Sequence, residues 1–478
     1  MKYSMFIKVE KGFIEVLSMT NIIIGAGPAG RLAALELGIL EEEVLLIEKK
    51  HIAGTCLNEG CMVVCALTDI ARFLNNKKHY ESLGLMKGNI EISYNKITSK
   101  IKKTQEILRK INQEENESVN NKIIYGKANI DDSNAYVNGE SYAFENLLIA
   151  TGSRPFIPDI QGVQYALTSS DILEIEKVPE KLNIIGGGII AAEVSNIFSS
   201  LGSEVNIIAR SSFLKELDSE IRSYIMNHLY TGVNINENTD ILEIKKNKII
   251  IKDNEFEGQS FIATGRIPNS EIVNDIVELN KDSSIKVNEM LETSTPNIYA
   301  AGDVTGGLNL TPIARMEGIT AARNMAGYPT KVEYKNIPQS LTLNMDVSFT
   351  SSNMNNGIYN NNKIANQKPD HNDDKISDNH DPNPDNLNDE IESISFPGLA
   401  GPGSFWNILG QNTGLSKISV NTKTNEIDSI NAISPSSVSD VSYLSFLMRI
   451  NEDLDKFDEF IEIHPSTDAF YKIMKYII

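Results

Sequence analysis

The chain has 478 residues, room for three or four domains of roughly 100–200 residues each, and its 41% hydrophobic and 23% charged residues are those of a soluble globular protein. A formal net charge of −20 argues against non-specific nucleic-acid binding, which needs a basic surface to displace counterions. No apolar run approaches the ~20 residues that span a bilayer, and Glu10 and Lys11 interrupt any signal-peptide core in the first 18 residues, so the expected location is the cytoplasm.

Residues 1–18 read as an extension ahead of the first strand, Asn21–Ile24. A glycine turn (25–30), a helix (31–40) and a second apolar strand, Val44–Ile47, follow, and that strand ends on Glu48. All three cysteines, Cys56, Cys61 and Cys65, fall just beyond it. Thiols gathered beside a nucleotide-binding unit point to redox chemistry more than to stapling. A similar unit recurs as strand Leu182–Ile185, turn 186–188, a helix to about Ser200, strand Val205–Ala209, and then Arg210. Strand–helix–strand alternation implies parallel sheets covered on both faces. Residues 351–395 are rich in Asn and Asp and poor in apolar side chains, the composition of a disordered insert. Strands are expected over 414–420 and 427–433, with a terminal helix from Pro465 onward.

Gly25-Ala26-Gly27-Pro28-Ala29-Gly30 lies between strand and helix with Glu48 at the usual offset, the pattern that seats a pyrophosphate on a helix N-terminus and a ribose on the acid. The second turn, Gly186-Gly187-Gly188-Ile189-Ile190-Ala191, is followed by Arg210 where an acid would favour NAD. An arginine pairs instead with a 2′-phosphate, with Lys215 close by, so NADPH is expected and NADH is the alternative.

The stretch Gly54-Thr55-Cys56-Leu57-Asn58-Glu59-Gly60-Cys61 resembles the redox-disulfide segment of the flavoprotein disulfide reductases, the class I pyridine nucleotide–disulfide oxidoreductases that include dihydrolipoamide dehydrogenase, glutathione reductase and mercuric reductase. Ala150-Thr151-Gly152, 186–193, Ala263-Thr264-Gly265-Arg266, Ala301-Gly302-Asp303, Leu310-Thr311-Pro312 and His464-Pro465 match further signatures in order. The resemblance implies an α/β protein with two Rossmann-like doubly wound dinucleotide-binding domains, for FAD and NAD(P)H, plus a C-terminal α+β dimerisation domain. The expected partition is 19–152 and 269–330 for FAD, 153–268 for NAD(P)H, and 331–478 for the interface, with the insert inside it. By the same resemblance Gly25, Gly27, Gly30, Glu48 and Asp303 bind FAD, and Gly186, Gly188, Glu193 and Arg210 line the nicotinamide nucleotide site. Thr55, Thr151, Gly152 and Gly265 join the cofactor-binding set. Electrons would pass from NAD(P)H through FAD to a Cys56–Cys61 disulfide and on to a small disulfide substrate of the lipoyl type. Cys56 is the implied interchange thiol and Cys61 the thiolate beside the flavin. His464 is the implied base, entering the partner's site in a homodimer; the glutamate that orients it in the family is Ala469 here, with Asp468 its substitute.

One departure follows Cys61. The family's Pro-Ser-Lys is Val63-Val64-Cys65, so Glu193 would lack the lysine that it pairs with in the family, and an unpaired carboxylate in a desolvated site takes up a proton. Cys65 is either a second exchangeable thiol or a small apolar filler. No metal site is expected, because three cysteines fall short of a tetrahedral set. The missing lysine also admits two alternatives: an NAD(P)H oxidase or diaphorase, whose turnover would survive Cys56→Ser, and a flavin-binding regulatory subunit without catalysis.

Overall fold

Apolar runs that lack a polar face become central parallel strands where helices cover both sides of a sheet. The computed structural model describes residues 17–351 except 231, 253 and 274, together with 391–397, 409, 414–424 and 426–450. In it β1 (Leu17–Ile24) passes through the glycine turn to α1 (Pro28–Ile39) and returns as β2 (Val44–Glu48), every residue of which is buried. Pro28 starts α1, where its fixed φ suits the first helical position and its missing N–H has no partner to lose. Next come α2 (Gly54–Asn58), α3 (Cys61–Ser82) and α4 (Tyr94–Glu117), then β3 (Lys122–Tyr125), β4 (Asn129–Ile130), β5 (Asn134–Val137) and β6 (Glu140–Ile149). The strands run β3-β2-β1-β6 in parallel, and β5 and β4 continue antiparallel. Leu17 and Ser18 already pair with Tyr142 and Ala143. The first strand therefore starts inside the stretch set apart as an extension, and residues 1–16 lie outside the described residues.

The chain leaves this sheet through β7 (Ser153–Pro155) and builds the second unit from β8 (Lys181–Ile185), α5 (Ile189–Ser200), β9 (Glu204–Ile208), α6 (Ser219–Tyr224) and β10 (Val233–Asn236). An antiparallel ribbon of β11 (Ile241–Lys245), β12 (Lys248–Ile251) and β13 (Glu255–Glu257) precedes β14 (Gln259–Ile262). β15 (Arg266–Pro268) then pairs antiparallel with β7. The second sheet has the order β10-β9-β8-β14, all parallel. A row of amides crosses it. Asn234 donates to Asn206 (3.0 Å), Asn206 to Asn183 (2.8 Å), and Asn183 to the carbonyls of Phe256 and Glu257. β16 (Ile298–Ala300) rejoins the first sheet beside β6. The helix that follows, α7 (Thr311–Met325), crosses α1 so closely that a Cβ on Gly318 would lie 2.1 Å from the Ala29 carbonyl oxygen.

A third, antiparallel sheet has the order β17-β18-β21-β20-β19, from β17 (Gln339–Leu341), β18 (Val347–Ser351), β19 (Ile391–Pro397), β20 (Leu415–Asn421) and β21 (Glu426–Ile433). α8 (Ser437–Arg449) packs Val441 and Leu444 against Ile418, Ile430 and Ala432 of this sheet. Residues 391–395, read from composition as part of the insert, belong to β19 and pair with β20 from Asn421 to Lys417. Residues 352–390 and the helix expected from Pro465 lie outside the described residues. Val63 and Leu67 of α3 are buried with α5 of the second unit and with Leu341 and Val347 of the third sheet, so the thiol-bearing helix is held where the three sheets meet.

Candidate redox site

Both glycine turns solve one packing problem in one way. Gly25 (φ +102°) and Gly186 (φ +127°) are in a backbone region that L side chains avoid. A Cβ there would lie 2.3 Å from the Ala150 carbonyl oxygen and 2.1 Å from that of Ala263. Those carbonyls open the two Ala-Thr-Gly segments at the ends of β6 and β14, so each turn is pressed against the neighbouring strand's end. A Cβ on Gly30 would fall 1.9 Å from the Gly25 carbonyl oxygen, whereas Ala191 fits, fully buried, at the equivalent place in the second turn. The middle glycines face open space: Gly27 has only the Gly54 Cα at 4.0 Å, and Gly188 has nothing within 4 Å. Each turn thus presents a bare backbone at the N-terminus of a helix, the requirement for seating a pyrophosphate.

Glu48 is buried, and its carboxylate accepts the N–H groups of Ala26 (2.8 Å) and Lys50 (2.7 Å). It thereby fixes the first turn while keeping lone pairs for a ribose. A cavity of about 460 Å³ lies beside the end of β2, lined by His51, Ile52, Arg109, Gln113 and Tyr125. Asp303 follows Gly302 (φ +79°) and accepts a hydrogen bond from Ser153 (2.6 Å), which in turn accepts one from Arg266 (2.7 Å). Buried Glu317 accepts the Gly302 N–H and the Tyr334 hydroxyl, each at 2.7 Å, and so anchors the Asp303 turn. Thr151 donates to the Asn269 carbonyl (2.8 Å), so its hydroxyl staples the chain crossing between the two units.

The thiols are carried on two helices that meet at a sharp break. Ala53 has φ +70°, α2 spans one turn with Cys56 at its centre, and α3 begins at Cys61. A Cβ on Gly54 would lie 2.8 Å from the Gly27 Cα, so this loop rests directly on the first cradle. Helix α4 ties off the loop's carbonyls: Gln105 donates to those of Leu57 (2.8 Å) and Asn58 (3.1 Å), and Arg109 to the Asn58 side chain (2.9 Å). Cys56, Cys61 and Cys65 are all free thiols. The hydrogen bond from Cys61 brings Cys56 down to about 6, helped by Thr311 and the positive charge of Arg315, and the same hydrogen bond pushes Cys61 up. Thr311, the first residue of α7, places its Oγ1 3.8 Å from Cys61 Sγ. In the reduced pair the nucleophilic thiolate therefore forms at Cys56.

Glu193 of α5 has its carboxyl enclosed and accepts the Thr342 N–H (2.9 Å). Burial raises it to about 7, and the negative charge of Asp346 adds to the effect. Among the described residues no lysine or arginine pairs with it. The cation on this side, Arg72, is committed to Asp346 (2.5 Å) and the Leu343 carbonyl (2.8 Å). Desolvation, then the field of Cys61, Glu193, Asp69 and Asp346, raises Cys65, which is therefore a neutral thiol where the family has a charge.

The structure brings Gly25, Gly27, Gly30 and Glu48 together at the first turn, and the loop that carries Thr55, Cys56 and Cys61 rests on that turn at Gly54, with Asp303 held at a separate turn. Gly186, Gly188 and Glu193 lie at the second cradle, with Arg210 exposed beyond β9. Gly152 and Gly265 close the two Ala-Thr-Gly turns. His464 and Asp468 lie outside the described residues. Sequence reasoning passed over Gln105, Arg109, Ser153, Arg315 and Glu317. Of these only Arg315 left a trace, a basic residue one helical turn after the Leu-Thr-Pro signature.

Residues 19–318, more than half of the chain, match the family model described as pyridine nucleotide-disulphide oxidoreductase. The chain belongs to that family of flavoprotein disulfide reductases, whose members use FAD and NAD(P)H. It is 32% identical over 350 residues to a dihydrolipoyl dehydrogenase of Mycoplasma genitalium, covering 69% of this chain and 76% of the relative. It is 27% identical over 474 residues to the uncharacterized protein MJ0636 of Methanocaldococcus jannaschii, covering 96% of this chain and 98% of that one. In fold it is similar to the HOCl-induced flavoprotein disulfide reductase RclA from Escherichia coli, with a TM-score of 0.78, 22% identity, and coverage of 96% and 100%.

Proposed function

We propose that this protein reduces small disulfides with the Cys56–Cys61 pair, at the expense of NADPH. The observation that carries the reading is the seating of the thiol loop on the first glycine cradle, with Cys56 lowered by its bond from Cys61. Residues 19–152 and 269–330 form the FAD domain in this reading. Gly25, Gly27 and Gly30 take the pyrophosphate, Glu48 and the neighbouring cavity the adenosine, and Asp303 the ribityl chain, with Thr55, Thr151 and Gly152 around them. Residues 153–268 form the NADPH domain, where Gly186, Gly188 and Gly265 would shape the cradle, Glu193 would line the nicotinamide nucleotide site, and Arg210 would hold the 2′-phosphate. Bound FAD supplies a two-electron relay between nicotinamide and cysteine pair.

The remaining steps belong to side chains. Cys56 attacks a substrate sulfur, Cys61 resolves the mixed disulfide, and Thr311 donates to the sulfur that carries charge. Residues 331–478 form the interface of a homodimer in which His464 of the partner subunit, oriented by Asp468, moves the proton to the departing thiol. The outward-facing Val438, Tyr443, Phe446 and Ile450 of the α8 region suit that contact. The dimer is cytoplasmic in this proposal.

The test is anaerobic reduction of the FAD-loaded protein by NADPH and by NADH, followed by reoxidation with a panel of disulfides. Reoxidation that is lost in Cys56→Ser is the expected result. A panel that reoxidises nothing, or turnover that survives Cys56→Ser, refutes it.

A further inference from the structure

Arg315 is the feature of the thiol site that disulfide exchange by itself does not require. It lies one helical turn after Thr311, on the face of α7 that meets the cysteines, and Thr311 Oγ1 is 3.8 Å from Cys61 Sγ. Its guanidinium is exposed, and its charge reaches Cys56. Among the described residues it makes no hydrogen bond and no ion pair. A second guanidinium, that of Arg31 on α1, lies in its field. Arg31 gives Nη1 to Glu115 (2.5 Å) and keeps a buried Nε without a partner. Of the two guanidiniums only that of Arg31 has a carboxylate partner, Glu115, and Arg315 has none among the described residues, in a chain with a net charge of −20. An exposed, unpaired guanidinium whose charge reaches a nucleophile, with a second guanidinium in its field, constitutes a site for an anion. A planar guanidinium is also the side chain best matched to a carboxylate.

We propose that Arg315 determines substrate choice by receiving an anionic group of the disulfide, so that the preferred substrate is a small disulfide carrying a carboxylate within a side chain's length of its sulfurs. The inference rests on the reductase reading above and names its substrate class. Docked there, the disulfide offers one sulfur to the Cys56 thiolate. A protein–substrate S–S bond forms as the substrate's own S–S bond breaks, and one thiolate leaves. Cys61 then attacks Cys56 Sγ, releases the second thiolate and passes its proton to a departing sulfur. Two electrons reach the substrate, and the cysteine pair is left as a disulfide for NAD(P)H to reduce.

The experiment has two arms. In the first, kcat/KM of the FAD-loaded enzyme is measured for 3,3′-dithiodipropionate, bis(2-hydroxyethyl) disulfide and cystamine, which carry negative, no and positive charge. The wild type should rank them in that order. Arg315→Gln should lower the anion-to-neutral ratio at least about tenfold, Arg315→Lys should keep most of it, and Arg315→Glu should invert it. In the second arm, the reduced protein is alkylated with iodoacetate and with iodoacetamide, cleaved after Glu59 to separate Cys56 from Cys61, and the Cys56 adducts are quantified. The iodoacetate-to-iodoacetamide rate ratio should also fall about tenfold in Arg315→Gln. An alkylation ratio unchanged within twofold overturns the role of Arg315, whatever the turnover. A ratio that falls in a protein that reduces no disulfide upholds the anion site and sinks the reductase reading instead. Wild-type turnover without charge preference overturns the substrate class.

Discussion

Replacing Glu193 by glutamine removes one proton site and little else, because the amide oxygen still accepts the Thr342 N–H. Burial holds the native carboxyl at about 7, above its ordinary 4.5. As pH rises the unfolded chain gives up this proton first, so the native state loses stability progressively between those two values and carries the full cost above 7. Over the interval from pH 5.5 to 8.5 linkage puts the added cost at about 2 kcal/mol at most, since part of the residue is open to solvent. Denaturation midpoints of FAD-saturated wild type and Glu193→Gln, measured at both pH values, isolate that increment because the other groups titrate alike in both proteins. The variant should gain on the wild type by about that amount at the higher pH. In a Cys65→Lys background, where an ammonium is restored beside the carboxylate, the gain should disappear. A gap between wild type and Glu193→Gln that stays constant with pH would show that Glu193 is already paired, and the account of the missing lysine would fall with it.

Three further outcomes follow from the same geometry. In Cys61→Ala, Cys56 loses the hydrogen bond that lowers it, and its iodoacetamide reactivity should rise with pH near the ordinary thiol value of 9.0 instead of about 6; a midpoint that stays near 6 would place the cause elsewhere. Arg210→Glu should raise the apparent KM for NADPH far more than that for NADH, and equal increases would remove its assignment to a 2′-phosphate. Glu317→Leu leaves the Gly302 N–H without its carboxylate acceptor, at a cost of about 1–3 kcal/mol for that buried group; the FAD content of the purified protein should drop, and full retention would show that the Asp303 turn stands without this anchor.

The two strand–glycine turn–helix units were legible because their signals are local. A glycine turn between an apolar strand and a helix marks a backbone that takes positive φ in a close approach, and Ala150-Thr151-Gly152 and Ala263-Thr264-Gly265 repeat at the strand ends against which those turns press. The clustering of Cys56 and Cys61 was equally plain. What joins them to the rest was not. Gln105 and Arg109 hold the thiol loop from about 50 positions away, and Arg72 reaches Asp346 across 274. No periodicity or spacing encodes such contacts, which arise only when helices cross. The first residues of β19 were hidden for another reason: averaged with the Asn-rich stretch before them, Ile391–Ser395 lose the Ile-x-x-Ile pattern that their pairing with β20 makes meaningful. Glu193 shows the opposite case, since a single replaced residue, Cys65, announced in the sequence the electrostatic deficit found in the structure.

The amide row across the second sheet has a consequence for assembly. Its parallel strands are short and rich in isoleucine and valine, so an apolar pattern alone would tolerate β9 sliding along β8. Asn183 sits opposite Asn206, and Asn206 opposite Asn234. A shift of one position would turn these amides to the opposite face and leave polar groups buried against hydrocarbon. The asparagines act as alignment marks: they admit one pairing of the three strands, and in doing so they set the height at which Gly186, past the end of β8, gives its N–H to the Ile208 carbonyl of β9 before any nucleotide arrives.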